Sequence, residues 1–327
     1  MNGSSLSGRA LAMSVILLLV LLAGTYGPLG DYLSAVKRTN AANAFGPGDT
    51  NAELLRWIEQ KAPGMTKPAM DAVNDRVWRA IPGYDGQEVD VQATYRKAVG
   101  AGIRVPPSEK DFPWEYRDIK PRVGLEDLPL LPIYRGNPAK PMVALMINVA
   151  WGDEHLPSIL EQLDAANVHA TFFLDGMWLS KHADTAKDLL ARGHELSNHA
   201  YSHPNMSQHG AARQREEIAK TEKLLKELGV SNRWFAPPSG DYNEVTVKVA
   251  SELGLRTVLW TLDTLDWRQP PSWSIVSKVS ARVGPGTLIL MHPTASSKGA
   301  LTGMIKAIRA KGYSLGTVSE TLSSKRV

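Results

Sequence analysis

The sequence contains no cysteine among its 327 residues. The chain therefore cannot form disulfide bonds, and any metal site must use histidine or carboxylate ligands in place of thiolates. Charge of one sign is not concentrated either, because the net charge of +4 is spread along the chain without a basic stripe of interleaved aromatic residues. This distribution argues against a nucleic-acid partner. Sequence patterns typical of serine hydrolases, phosphate-binding loops and dinucleotide-binding folds are also missing.

The longest apolar run lies near the N-terminus, from residue 10 to residue 23, directly after Arg9. A terminal apolar run behind a positive charge is typical of a signal peptide or an uncleaved signal-anchor. A clear cleavage site between small residues is missing, so we expect residues 1–30 to be a retained membrane anchor, with cleavage and secretion as the alternative. The bulk of the protein would then be exported, with the membrane as one of its partners.

Three segments separate this terminus from the largest part of the chain. Residues 31–51 are small and polar, contain Gly-Pro-Gly and predict a linker. Residues 52–104 predict a small α/β module, to which the sequence assigns no role. Residues 105–141 are rich in proline and charge and predict an extended linker.

Residues 142–327 alternate between apolar, strand-like runs and amphipathic runs of helical length. This alternation predicts parallel β-α-β units. Seven such runs favour an α/β fold that closes, or nearly closes, into a barrel, and in such barrels the functional residues follow the carboxyl ends of the strands. The predicted strands are 143–150, 170–174, 195–199, 234–236, 257–262, 287–291 and 313–318.

Histidine is concentrated at these predicted strand ends. His199 and His203 follow the third strand, and His292 ends the sixth. An isolated pair of histidines four residues apart is more often a solvated helix face. Here, polar residues also follow nearly all of the remaining predicted strands, which favours a functional site at this end of the sheet. Histidine is the commonest metal ligand, so a metal site is the first interpretation.

Residues 142–321 resemble the NodB-type polysaccharide deacetylases, and five cues occur in the order of that family. They are Ala170-Thr171-Phe172-Phe173, Gly193-His194-Glu195 leading into Asn198-His199-x-x-Ser202-His203, Pro237-Pro238-x-Gly240, Asp263-Thr264-x-Asp266-Trp267, and Leu290-x-His292. The resemblance implies a distorted (β/α)7 barrel. Trp151-Gly152-Asp153-Glu154 is similar to a subgroup from spore-forming bacteria with a degenerate first motif, which adds sporulation to the expected roles.

The resemblance also implies a mechanism. In this family one aspartate and two histidines bind a divalent ion, usually zinc, and the metal-bound water attacks an acetamide carbonyl. By resemblance, His199 and His203 are the histidine ligands, His292 is the general acid, and Asp263 is the carboxylate that holds it. The residues expected to line the substrate groove are Asn148, Trp151, Glu154, Pro237, Pro238, Asp266, Trp267 and Leu290.

The first family motif, Thr-Phe-Asp-Asp-Gly, is altered in this chain. Asn148 stands at the position of the catalytic base and Val149 at that of the metal-binding aspartate. Asparagine cannot take a proton from water near neutral pH, and valine cannot bind a metal. The arginine that orients the base is also replaced, by Ala236. Asp153 is a possible substitute ligand, with a neighbouring carboxylate as base.

Two hypotheses remain open at this stage. The chain is either an exported deacetylase of N-acetylated cell-wall glycans, such as peptidoglycan or chitin-like polymers, or an inactive pseudoenzyme that binds such a glycan or acts as a scaffold in the cell envelope or spore. Zinc is the expected ion for the enzyme, and the pseudoenzyme needs none. A different metal hydrolase on the same barrel is a third, weaker alternative, because a fold does not determine a reaction.

Overall fold

The computed structural model describes residues 50–104 and 108–327. They belong to two units, one made of the described residues of 50–66 and 88–117, the other of 67–87 and 118–327. The expected signal peptide or anchor and nearly all of the first linker lie outside the described residues. Inside those ranges, no helix combines the length and apolarity needed to cross a membrane.

The smaller unit is built around two amphipathic helices. Helix α1 (Thr50–Lys61) places Leu54 and Ile58, which are four residues apart, on its buried face, as helical periodicity requires. They pack with Ala98 of helix α2 (Val91–Gly100) and with Phe112.

Four short strands precede the barrel in the sequence: β1 (Val73–Asp75), β2 (Arg79–Ile81), β3 (Gly86–Val89) and β4 (Tyr116–Ile119). Strands β1 and β2 belong to the larger unit.

The larger unit contains one parallel sheet with helices outside it. Its strands are β5 (Met142–Val149), β6 (Thr171–Leu174), β7 (Glu195–Asn198), β8 (Trp234–Phe235), β9 (Arg256–Thr257), β10 (Leu262–Asp263), β11 (Leu288–Met291) and β12 (Ser314–Gly316). They pair in the order β10-β11-β5-β6-β7-β8-β9, with β12 also on β5. The two ends of this order, β9 and β10, are separated by only residues 258–261, so the sheet curls round. The predicted fifth strand is therefore broken into two pieces that pair with different neighbours.

Helices follow most of these strands, as the alternation in the sequence predicts. They are α3 (Leu156–Ala165), α4 (Gly176–Lys181), α5 (Ala183–Ala191), α6 (Ala211–Glu227), α7 (Glu244–Glu252), α8 (Ser272–Arg282), α9 (Ala295–Ala310) and α10 (Val318–Leu322). A curled parallel sheet surrounded by helices confirms the expected α/β barrel-type fold in its coarse form.

The two faces of β5 enter different cores. Leu145, Ile147 and Val149 belong to the large hydrophobic cluster that includes residues of α3 and α9. Ala144 and Met146 belong to a second cluster on the inner side of the curled sheet. Since successive side chains of a strand point to opposite faces, Asn148 continues the inner series while Val149 ends the outer one.

The second predicted linker is not a free connection. Ile133 is fully buried and makes bridges to both Arg79 and Val258, and Asn137 donates a hydrogen bond to the Pro82 carbonyl at 2.9 Å. Residues 118–141 and 67–87 therefore belong to the same unit as the barrel. This division differs from the predicted boundaries at 104 and 141, because proline-rich composition does not reveal which segment supplies backbone partners to a sheet.

Candidate functional site

A cavity of about 380 Å³ opens at the carboxyl ends of the strands. It combines several imidazoles with several indole rings, one carboxylate and one amide. Its lining residues are Asn148, Ala150, Trp151, His199, His203, Ser239, Trp260, Asp263, Trp267, Leu290 and His292. The three histidines expected to converge therefore share one cavity.

His199 follows β7 and is held by the next strand of the sheet. Its Nδ1 lies 2.7 Å from the carbonyl oxygen of Ala236, which can only accept. Nδ1 therefore carries the proton and Nε2 presents a lone pair. Burial, with a smaller contribution from nearby His203, lowers the pKa of His199 to about 3, so this imidazole is neutral at neutral pH.

His203 lies at the end of a short loop that is anchored to α6. The rings of His199 and His203 are edge-to-face with centroids 5.1 Å apart. The buried Glu217 accepts hydrogen bonds from the Tyr201 and Ser202 amides and from the Ser202 hydroxyl, at 3.1, 2.8 and 2.8 Å. Burial also lowers the pKa of His203. Glu217 thus positions the loop, a role that no sequence motif signals.

His292 is held by Asp266. The His292 Nδ1 lies 2.8 Å from one oxygen of this carboxylate, and the His292 amide donates to the other at 2.6 Å. The Ser297 hydroxyl donates to the same buried carboxylate. The prediction that Asp263 holds His292 is therefore wrong, as is that of a groove-lining Asp266. A left-handed residue at position 265, with φ of 57°, reverses the chain and turns Asp266 under the imidazole.

Asp263 remains in the cavity with a different role. One of its oxygens accepts a hydrogen bond from the Leu265 amide at 2.8 Å, which stabilises the turn. Among the described residues it forms no ion pair. It is the one carboxylate in the cavity lining.

The residues at the end of β5 do not complete the three-ligand metal site of the resemblance. Val149 has no exposed surface and packs in the large hydrophobic cluster. Asn148 is 4% exposed, and its Oδ1 has no hydrogen-bond partner. Within residues 50–104 and 108–327, no three or more histidine, aspartate or glutamate side chains are grouped so as to hold one metal ion. Two neutral imidazoles beside an amide do not supply the anionic third ligand.

The predicted substitute ligand is committed to other partners. Asp153 accepts a hydrogen bond from the Trp178 indole nitrogen, and its other oxygen lies 3.5 Å from Nε2 of His182. The side chain of the next carboxylate, Glu154, is 73% exposed and lies 3.5 Å from His155. Neither carboxylate lines the cavity, so the structure gives no support to a rebuilt metal site at this loop.

The predicted groove is partly reproduced. Asn148, Trp151, Trp267 and Leu290 line the cavity, whereas Glu154, Pro237, Pro238 and Asp266 do not. Ala150, Ser239 and Trp260 line the cavity in addition to the residues predicted for the groove. Trp260 lies in the break between β9 and β10, which a prediction of one continuous strand conceals.

Trp151 covers one side of the cavity. Its indole is stacked on the His292 imidazole, with 6.0 Å between centroids and 6° between planes, and it is 47% exposed. Gly152 follows with φ of 90°, and a Cβ there would lie 2.0 Å from the Pro293 carbonyl oxygen. Only glycine therefore lets this loop pack close enough to place the indole over the imidazole.

Comparisons with known proteins agree with this geometry. The family model described as polysaccharide deacetylase matches residues 135–258 of the sequence. The chain is 40% identical to the uncharacterised protein YlxY of Bacillus subtilis, over 91% of each chain. It is 33% identical to a peptidoglycan-N-acetylglucosamine deacetylase of Bacillus cereus, over 57% of this chain and 70% of that enzyme.

Among solved structures, a CE4 family pseudoenzyme from Bacillus anthracis is 38% identical. The match has a TM-score of 0.77 and covers 84% of this chain and 96% of that one. A mutant of that pseudoenzyme with restored enzymatic activity matches with the same TM-score at 37% identity.

Proposed function

Since the chain belongs to the polysaccharide deacetylase family, we propose that it binds amino-sugar polymers of the cell-wall type in the cavity at the strand ends and does not hydrolyse their acetamide groups. Relatives named as peptidoglycan deacetylases support this class of polymer. The proposal separates binding from catalysis, because the cavity is retained while part of the chemistry is not.

The observation that carries the proposal is the position of Val149. It occupies the place of the metal-binding aspartate, and its side chain is packed among apolar residues on the outer face of the sheet. A metal bound by two imidazoles alone lacks the charge that an aspartate contributes. Without a firmly bound divalent ion, the water that attacks the acetamide is not activated.

The base is missing as well. Asn148 lines the cavity but cannot accept a proton from water. Ala236 replaces the arginine of the resemblance and is completely buried, and its carbonyl is used by His199. The water that would attack the acetamide therefore lacks both a firmly bound metal ion to polarise it and a base to accept its proton.

A second candidate function, slow hydrolysis, is favoured by one feature. The His292–Asp266 pair retains the arrangement of a general acid, with an imidazole hydrogen-bonded to a buried carboxylate at 2.8 Å. Such a group protonates a leaving amine. It serves hydrolysis only if another group or ion activates the water.

The test compares binding with hydrolysis on the same purified protein. Chitotetraose and soluble peptidoglycan fragments are titrated into residues 31–327, with and without excess zinc, and acetate is measured. We expect binding without acetate release. Trp151→Ala should weaken binding roughly tenfold through loss of stacking. Trp273→Ala is the matched control, because Trp273 is 73% exposed and lies outside the cavity lining.

Two outcomes would contradict this proposal. Acetate release that depends on zinc and disappears in His199→Ala would establish the enzyme instead. Absence of binding to every amino-sugar polymer would remove the glycan altogether. The mutant relative with restored enzymatic activity suggests a gain-of-function control, the double variant Asn148→Asp with Val149→Asp. Zinc-dependent acetate release by this variant and not by the wild type would attribute the lost reaction to these two positions.

We also propose that the protein is exported and held at the membrane by its N-terminal segment, in the cell envelope or the spore. The apolar residues 10–23 behind Arg9 support this proposal. Fractionation of cells producing the full chain tests it, and recovery only in the soluble cytosolic fraction would contradict it.

A further inference from the structure

We propose that the cavity binds a free amino group, the ammonium of a de-N-acetylated sugar within the glycan chain. This inference rests on the proposed glycan-binding function and specifies which sugar occupies the cavity. An acetamide offers one donor and carries no charge, whereas an ammonium offers three donors and a positive charge. The polar groups of the cavity match the ammonium.

The cavity presents hydrogen-bond acceptor atoms that receive no hydrogen bond from the described residues. His199 uses Nδ1–H on the Ala236 carbonyl, which leaves the Nε2 lone pair for a ligand. Nδ1 of His292 is likewise occupied by Asp266. Asn148 is 4% exposed, and its Oδ1 is without a partner in the described part of the chain. A buried acceptor without a donor is costly, so a ligand N–H bonded to it stabilises the complex.

The charge of the cavity has the sign that an ammonium requires. Asp263 is the one carboxylate in the lining, and among the described residues its side chain forms no ion pair, although the Lys278 ammonium lies 3.3 Å from its backbone carbonyl oxygen. None of the described lysines or arginines lines the cavity. The cavity therefore offers a carboxylate to a cation in a protein whose net charge is +4. A polycationic glycan would gain little from the protein as a whole, so its binding must come from this site.

Indole rings complete the match. Trp151, Trp260 and Trp267 all line the cavity. A cation is attracted to the face of an indole, and carboxylate–aromatic cavities of this kind recognise ammonium groups. Trp267 already accepts one cation on its ring, the Arg268 guanidinium at 4.6 Å from the ring centroid. The same rings also stack on sugar, which keeps the polymer in the cavity whether or not it is acetylated.

The experiment compares two probes of equal length, chitotetraose and its fully deacetylated counterpart, tetraglucosamine. Both are titrated calorimetrically into the purified full chain at about pH 6, where aliphatic amines are protonated. We expect tetraglucosamine to bind roughly tenfold more tightly, as a charged hydrogen bond provides. Asp263→Asn should abolish that preference, measured as the ratio of the dissociation constants of the two probes. Asp184→Asn is the matched control, because Asp184 is a 96% exposed carboxylate on α5 outside the cavity lining.

The outcomes distinguish recognition of the ammonium from binding of the glycan in general. Equal or tighter binding of chitotetraose overturns the ammonium inference and leaves the glycan-binding function intact. A preference for tetraglucosamine that survives Asp263→Asn, or is lost equally in Asp184→Asn, also overturns it, since the charge would then act from elsewhere. Failure of both probes to bind overturns the inference together with the proposed function. Far-ultraviolet circular dichroism of each variant verifies that a lost preference does not come from unfolding.

Discussion

Two strand ends that meet at the same cavity differ in whether they keep a buried charged group. At the end of β11, His292, Asp266 and Ser297 form a network in which the buried carboxylate has three donors. At the end of β5, the charged positions of the resemblance are occupied by Asn148 and Val149, and the second is part of a hydrophobic core. A buried charge is stable only where it is paired and hydrogen-bonded. Asp266 has such partners, whereas Val149 is stabilised by the apolar residues around it.

This difference predicts the largest effect at Val149. Val149→Asp places a carboxylate inside the hydrophobic cluster and should lower the free energy of unfolding by about 3–5 kcal/mol in the absence of metal. Chemical denaturation measures this loss. Asn148→Asp, one residue away on the cavity side, is the matched control and should cost far less. Equal losses in the two variants would break the contrast between the two faces of β5.

The second-largest effect is expected at Asp266. Asp266→Asn keeps the shape of the side chain but removes the charge from a buried group with three donors, and it should cost about 2–3 kcal/mol of unfolding free energy. Asp263→Asn is the control, since Asp263 makes one amide hydrogen bond at the cavity edge. If both variants lose the same stability, the β11 network has no special role.

A third effect is expected in the pH dependence of the unfolding free energy, to which the buried His199 contributes. Burial lowers the folded-state pKa of His199 to about 3, below the ordinary value near 6.5. Between these values the unfolded chain binds a proton that the folded chain does not, so stability is present above pH 6.5 and is lost as the pH falls. The contribution is at most about 1.4 kcal/mol per pH unit. We expect His199→Gln to show a shallower decline in denaturation measured from pH 7 to pH 4.

Two other buried groups bear on that profile. His194, whose pKa burial lowers to about 4, acts in the same direction as His199. Asp175, whose pKa burial raises to about 6, acts in the opposite direction, because the folded state gains its proton first. The comparison of wild type with His199→Gln removes both contributions. Identical profiles of the two proteins would show that His199 is protonated in the folded state.

The smallest effect is expected at Asp153. Its carboxylate is bonded to Trp178 and half exposed, so Asp153→Ala should cost no more than about 1 kcal/mol. It should also leave zinc affinity unchanged, as measured by equilibrium dialysis, whereas His203→Ala serves as the comparison for loss of an imidazole. Zinc affinity that falls in Asp153→Ala would restore the substitute-ligand hypothesis and place a functional carboxylate after β5.

Much of the fold was predictable because it depends on local periodicity. The segment predicted as a small α/β module, residues 52–104, contains most of helix α1 (Thr50–Lys61) and all of helix α2 (Val91–Gly100). Seven strand-like runs correspond to the curled parallel sheet. The broken fifth strand was not predictable, because an apolar run does not reveal that its two halves pair with different strands. The same limit applies to Ile133, whose bridge partners Arg79 and Val258 are 54 and 125 residues away in the chain.

The site shows the same division. The sequence of the strand ends was enough to predict that three histidines share one cavity and that Asn148 and Val149 cannot replace two aspartates, since neither side chain carries a carboxylate. Only the tertiary structure decided that Asp266, and not Asp263, holds His292, and that Asp153 faces Trp178. Those choices depend on a left-handed turn at Leu265 and on which distant side chain reaches each carboxylate. Residue types limit the possible reactions, and the packing of remote segments selects the partner of each group.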